Sequence, residues 1–103
     1  MAALKWDSDD PGYERWVHGH PHGFLANTKR PVGGRYFRIH CASCNLQDRS
    51  KPETINPRTG NRYLKITADT IAELIAWAEQ ELHLSTFGDQ NYCKICAPRS
   101  ANP

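Results

Sequence analysis

The sequence predicts a small α+β domain: a short antiparallel sheet of about three strands, one main amphipathic helix, and two cysteine turns that staple them together. Three observations carry the prediction. Ile71, Leu74, Ile75, Ala78 and Leu82 recur at i, i+3, i+4, i+7 and i+11, one face of a 3.6-residue period. Three short runs, beginning at Phe24, Tyr36 and Arg62, are rich in β-forming residues and bounded by Gly and Pro. The only four cysteines come as Cys41-Ala-Ser-Cys44 and Cys93-Lys-Ile-Cys96. Each pair has the spacing that lets both sulfurs of a tight turn face one metal ion.

Taken in order, residues 1–12 read as a polar, acidic N-terminal arm ending in Asp-Asp-Pro-Gly, a turn signal. Tyr13 to Val17 reads as one short helical turn with Tyr13, Trp16 and Val17 on one face. His18 to Gly23 is a loop by its Gly and Pro content, and Phe24-Leu25-Ala26 starts a strand. A loop with Pro31 and Gly33-Gly34 follows, then Tyr36 to His40, a strand that feeds the first cysteine turn. Residues 45–61 lack an apolar period and contain Pro52, Pro57 and Gly60, so they form a long polar excursion. Arg62 to Ile66 is the third strand. The helix runs from about 69 to 82, with Thr70 and Glu73 at capping-box spacing. Trp77, at the edge of its stripe, packs on the sheet or covers the cysteine turns, and His83 interacts with the last carbonyls. The expected organisation is a single domain over 13–98 and a disordered tail over 99–103.

A chain of 103 residues makes one small domain. Its hydrophobic share of 39% leaves a thin core, one that a metal staple helps to hold. Four sulfurs satisfy tetrahedral Zn²⁺, and one structural zinc contributes on the order of 10 kcal/mol to the folded state. No stretch resembles a signal peptide or reaches the length of a membrane span, which points to a cytoplasmic protein. Thiols in that reducing compartment favour metal over disulfides.

His40 adjoins the first pair and opens a choice. The ligands are four of His40, Cys41, Cys44, Cys93 and Cys96, with His40 or Cys41 as the first. Adjacent side chains at the end of a strand point opposite ways, so both cannot easily face the metal. If all four cysteines bind, His40 is a neighbour that offsets their negative charge. Four ligands leave no open coordination position, so the site is structural and not catalytic. His18, His20 and His22 have no nearby carboxylate or thiol to complete a second metal set and read as a solvated turn. No nucleophile triad, phosphate loop or catalytic carboxylate pair stands out.

The net charge is only +2, yet residues 28–65 hold nine basic residues against Asp48 and Glu53, a local +7. A basic middle built around such a turn is the footprint of a phosphate-backbone binder. Lys29, Arg30, Arg35, Arg38, Arg58 and Arg62 are the expected contacts to nucleic acid, with duplex DNA the favoured form, and Asn56 to Asn61 a candidate groove probe. The alternative is a protein–protein adaptor in which zinc only holds the fold, with Trp6, Tyr13 and Trp16 forming an exposed aromatic patch. No membrane or small-molecule partner is indicated. A third reading, self-alkylation of Cys41 in DNA repair, is disfavoured.

Arg38-Ile-His40-Cys-Ala-Ser-Cys44 resembles the first ligand turn of the zinc-binding domain of Ada-type DNA methylphosphotriester repair proteins, which reads Cys-x-x-x-Cys and in shorter, non-repair relatives Tyr-His-x-x-x-Cys. Cys93-Lys-Ile-Cys-Ala-Pro98 resembles that family's second turn, Cys-Lys-x-Cys-x-Pro. The resemblance spans roughly residues 24–98 and implies zinc held by His40, Cys44, Cys93 and Cys96. Two features depart from it. The interval between Cys44 and Cys93 holds 48 residues, more than the family's usual gap. His40 also stands where the repair proteins carry the methyl-accepting cysteine, so transfer by that route is not implied here. Gly19 to Asn27 followed by Ile39 to Cys44 is also similar to a pattern in small uncharacterised bacterial zinc-binding proteins, His-Pro-x-Gly-Phe-x-x-Asn then Leu-His-x-x-x-Cys. It implies no activity.

Overall fold

The computed structural model describes residues 3–29, 36–43, 59 and 63–94. The fold is α+β, as the sequence predicts, with four strands in one antiparallel sheet and two helices. The chain runs β1 (Leu4–Trp6), α1 (Asp10–Gly19), β2 (Phe24–Lys29), β3 (Phe37–Cys41), β4 (Tyr63–Ala68) and α2 (Ile71–Glu81), then a short 3₁₀ turn at Asp89–Asn91. The sheet order is β1-β4-β2-β3.

The extra strand corrects the reading of residues 1–12 as an arm, because Leu4 to Trp6 pair with Thr67 to Lys65 of β4. The single turn expected over 13–17 is instead a helix of ten residues. Its start lies in the supposed turn signal. Asp9 caps it by accepting from the Gly12 N–H (3.0 Å), and Pro11 sits in the first turn, where its missing N–H costs nothing. A Cβ at position 12 would collide with the Asp9 carboxylate and the Trp6 ring, so glycine is required there. His18 and Gly19 thus belong to α1, and the loop shrinks to residues 20–23.

Strand alternation sorts the sheet residues between two faces. Phe24, Ala26, Phe37, Ile39, Ile66 and Ala68 join Ile71, Leu74, Ala78 and Leu82 of α2 in the main core. Leu74 and Ala78 are fully buried, and Trp77 stacks on Phe37 at 6.1 Å, in line with the expectation that it packs on the sheet. Burying each large apolar side chain contributes about 1.5–3 kcal/mol. The opposite face carries Leu25, Asn27, Arg38, His40, Lys65 and Thr67 by register. There Tyr13 of α1 lies under the ring-to-ammonium contact with Lys65, and Trp6 Nε1 donates to Thr67 Oγ1 (2.8 Å).

Thr70 caps α2 and forms the complete capping box with Glu73, so the first helical residue is Ile71. The helix ends where His83 turns to φ 56° and the Leu84 N–H reaches back to the Ala78 carbonyl (3.3 Å). Of the long excursion, Thr59 is described, and it is completely buried. Its N–H and hydroxyl both donate to Asp10 Oδ1 (2.8 and 2.7 Å), and its own hydroxyl accepts from the Asp9 N–H (2.7 Å). The start of α1 therefore anchors the excursion.

Candidate metal centre

The described parts of the two predicted ligand turns, residues 41–43 and 93–94, lie at one edge of the sheet. β3 is that edge, and it delivers His40 and Cys41 into a turn at Ala42 and Ser43. The Ala42 N–H donates to the Gly23 carbonyl (3.0 Å), which fixes where the first turn leaves the sheet. Gly23 itself has no room for a side chain, since a Cβ would lie 2.8 Å from the Trp16 ring. The second turn is docked by Asn91. Its Nδ2 donates to the Phe37 carbonyl (2.8 Å), and its Oδ1 accepts from the Gly88 N–H (2.9 Å). Tyr92 then forms a parallel bridge with Ile39, and the Cys93 N–H donates to the Ile39 carbonyl (2.9 Å).

The side chains of these segments divide by face. Cys41 packs against the α2 core, half-buried. Tyr92 packs against the same core, beside its bridge partner Ile39, and Cys93 is buried. His40 is 5% exposed. Its Nε2 lies 3.3 Å from Asn27 Nδ2, while its Nδ1 is buried with no hydrogen-bond partner among the described residues. Burial, with the charges of Lys65 and then Arg38 adding to it, lowers His40 from 6.5 to about 4. The ring is therefore neutral near pH 7, which is the form that binds metals. A buried neutral imidazole with one nitrogen left without a partner among the described residues fits a zinc ligand.

Cys44 and Cys96 lie outside the described residues, and among the described ones no group of three metal-binding side chains converges. The histidine-rich loop resolves as follows. His20 stacks on Trp16 at 4.1 Å, and its Nδ1 contacts the Trp16 carbonyl (2.7 Å), while His18 and His22 are exposed. His20 thus serves the end of α1 and its neighbours face solvent.

Of the six expected nucleic-acid contacts, Lys29 and Arg38 are described and share one sheet face, on neighbouring strands. Lys29 is exposed, 5.2 Å from the Tyr36 ring centroid, and Arg38 is half-buried. Arg30, Arg35, Arg58 and Arg62 lie outside the described residues, as does all of the Asn56 to Asn61 probe except Thr59, whose side chain is turned inward. The exposed aromatic patch expected for an adaptor is not formed: Tyr13 is 1% exposed, and Trp6 and Trp16 are half-buried. Sequence reasoning missed Asn27, Lys65, Asn91 and Thr59. The signal for the first two was their place in strands where a polar residue at an inward position needs a reason.

No described helix is long and apolar enough to cross a membrane. Compared with known proteins, the chain matches no family model, no curated protein and no solved structure.

Proposed function

We propose that this chain is a zinc-stapled, non-catalytic module that binds nucleic acid, with duplex DNA as the favoured form. His40, Cys44, Cys93 and Cys96 hold the metal. One observation carries the reading. The Cys93 N–H donates to Ile39 of the strand that feeds the first turn, beside a buried imidazole whose Nδ1 has no hydrogen-bond partner among the described residues. Cys41 is left to the α2 core, which argues against its serving as a reactive thiol. When bound, zinc would act as a crosslink between strand and tail, and a closed set of four ligands gives it no open position for chemistry. The basic face that begins with Lys29 and Arg38 supports the nucleic-acid half of the reading.

Two measurements test the halves separately. Metal analysis of the purified protein should find one zinc per chain, kept in Cys41→Ser and lost in His40→Ala. The reverse pattern would make Cys41 the ligand. Anisotropy of labelled duplex DNA should rise with added protein, and the affinity should fall linearly in log salt. Arg38→Glu should lower that slope by about 1 or more. Absence of binding at low salt would remove the nucleic-acid reading and leave the zinc reading intact.

A further inference from the structure

We propose that nucleic acid runs along the β3 edge of the sheet, and that Lys94, inside the second cysteine turn, contacts its phosphates together with Lys29 and Arg38; this rests on the nucleic-acid half of the preceding reading and needs no metal. β3 ends the sheet order β1-β4-β2-β3, and residues 92–94 lie along its outer side. The bridge between Ile39 and Tyr92 is parallel, and the Cys93 N–H donates to the Ile39 carbonyl (2.9 Å). The chain therefore leaves Ile39 in the direction of Cys41 and takes the exposed Lys94 with it. At the other end of β3, Lys29 is exposed beside the Tyr36 ring, its Nζ 5.2 Å from the centroid. Half-buried Arg38 stands between the two ends. Residues 36–41 cover about 17 Å of extended chain. One strand of a duplex presents about five phosphates over that length.

The described carboxylates leave this edge basic. α1, with Asp10 and Glu14 and its cap Asp9, packs on β1, at the opposite side of the sheet. Glu79 and Glu81 are exposed on α2. Asp89, which opens the 3₁₀ turn packed on β3, is the acid that accompanies the basic edge. A polyanion nearing the molecule is thus drawn to the β3 side and repelled from the β1 side, where Lys5 sits next to the acidic start of α1. Lys94 lies outside the basic stretch 28–65, so a count of charge along the sequence does not reveal it. Strand pairing and the Cys93 bond bring it to the same edge.

The test is fluorescence anisotropy of labelled duplex DNA over a series of salt concentrations. A wild-type chain that does not bind at low salt would overturn the nucleic-acid reading itself. With binding established, Lys94→Gln should lower the slope of log affinity against log salt by about 1. Lys5→Gln, on the far edge, should keep the wild-type slope. Both side chains are exposed, and circular dichroism should show both variants folded as wild type. A second measurement needs no variant. A lysine-acylating reagent, followed by mass spectrometry of the wild-type chain, should modify Lys29 and Lys94 less when duplex DNA is bound, and Lys5 equally with and without it. An unchanged slope in Lys94→Gln, an equal loss of slope in Lys5→Gln, or equal acylation of Lys94 with and without DNA would each overturn the assignment to the β3 edge.

Discussion

His83 holds a left-handed backbone angle, φ 56°, at the end of α2, where its side chain is exposed. A Cβ in that region costs on the order of 1 kcal/mol, which glycine avoids. His83→Gly should therefore stabilise the protein by up to about 1 kcal/mol and raise the thermal midpoint by several degrees in calorimetry. At this helix end the Leu82 and Leu84 N–H groups both donate to the Ala78 carbonyl. His40 is the opposite case, a polar side chain placed in the interior. Its neighbours in sequence, Ile39 and Cys41, pack toward α2, and the pleat sends it the other way. The refusal of adjacent residues to share a face was legible in the sequence. The contact of His40 with Asn27 was not, because strand pairing alone brings the two together.

At the scale of elements, α2 and the strands β2, β3 and β4 were readable because each repeats a pattern over several residues. The apolar stripe of α2 needs a 3.6-residue period, and Thr70 with Glu73 marks its start. α1 and β1 lacked such repetition. Asp9, Asp10 and Pro11 open a turn as readily as a helix, and a three-residue strand has too few residues to show alternation. Thr59 was illegible for another reason: its partner Asp10 is 49 residues away in sequence. Its replacement by valine would keep the shape but remove a hydroxyl that gives one hydrogen bond and takes another. We expect Thr59→Val to cost about 1–3 kcal/mol in urea unfolding, the penalty for buried polar groups left without partners.

For the molecule as a whole, a sheet with helices against both faces buries a modest core, and the Cys93 N–H bond to Ile39 ties the segment after α2 to β3. Under the zinc reading, folding and metal binding are coupled. A chelator should then lower the thermal midpoint sharply or abolish the cooperative transition followed by circular dichroism, and added zinc should restore it. An unchanged transition would mean that the hydrophobic layers suffice without the staple.

Thr59 also divides the long interval between β3 and β4 into two stretches with different freedoms. Upstream, the chain from residue 44 to 58 ends at an anchored point and is otherwise long, and lengthening a loop of that size costs only tenths of a kcal/mol. Downstream, three residues join Thr59 to the first residue of β4. Removing one of them would either pull Thr59 from Asp10 or drag β4 by one position, which would turn Leu64 and Ile66 out of the core and Lys65 into it. Inserting a short glycine-serine segment after residue 50 should leave thermal stability nearly unchanged, whereas deleting Gly60 should prevent folding. Tolerance to changes in length thus switches at a single threonine.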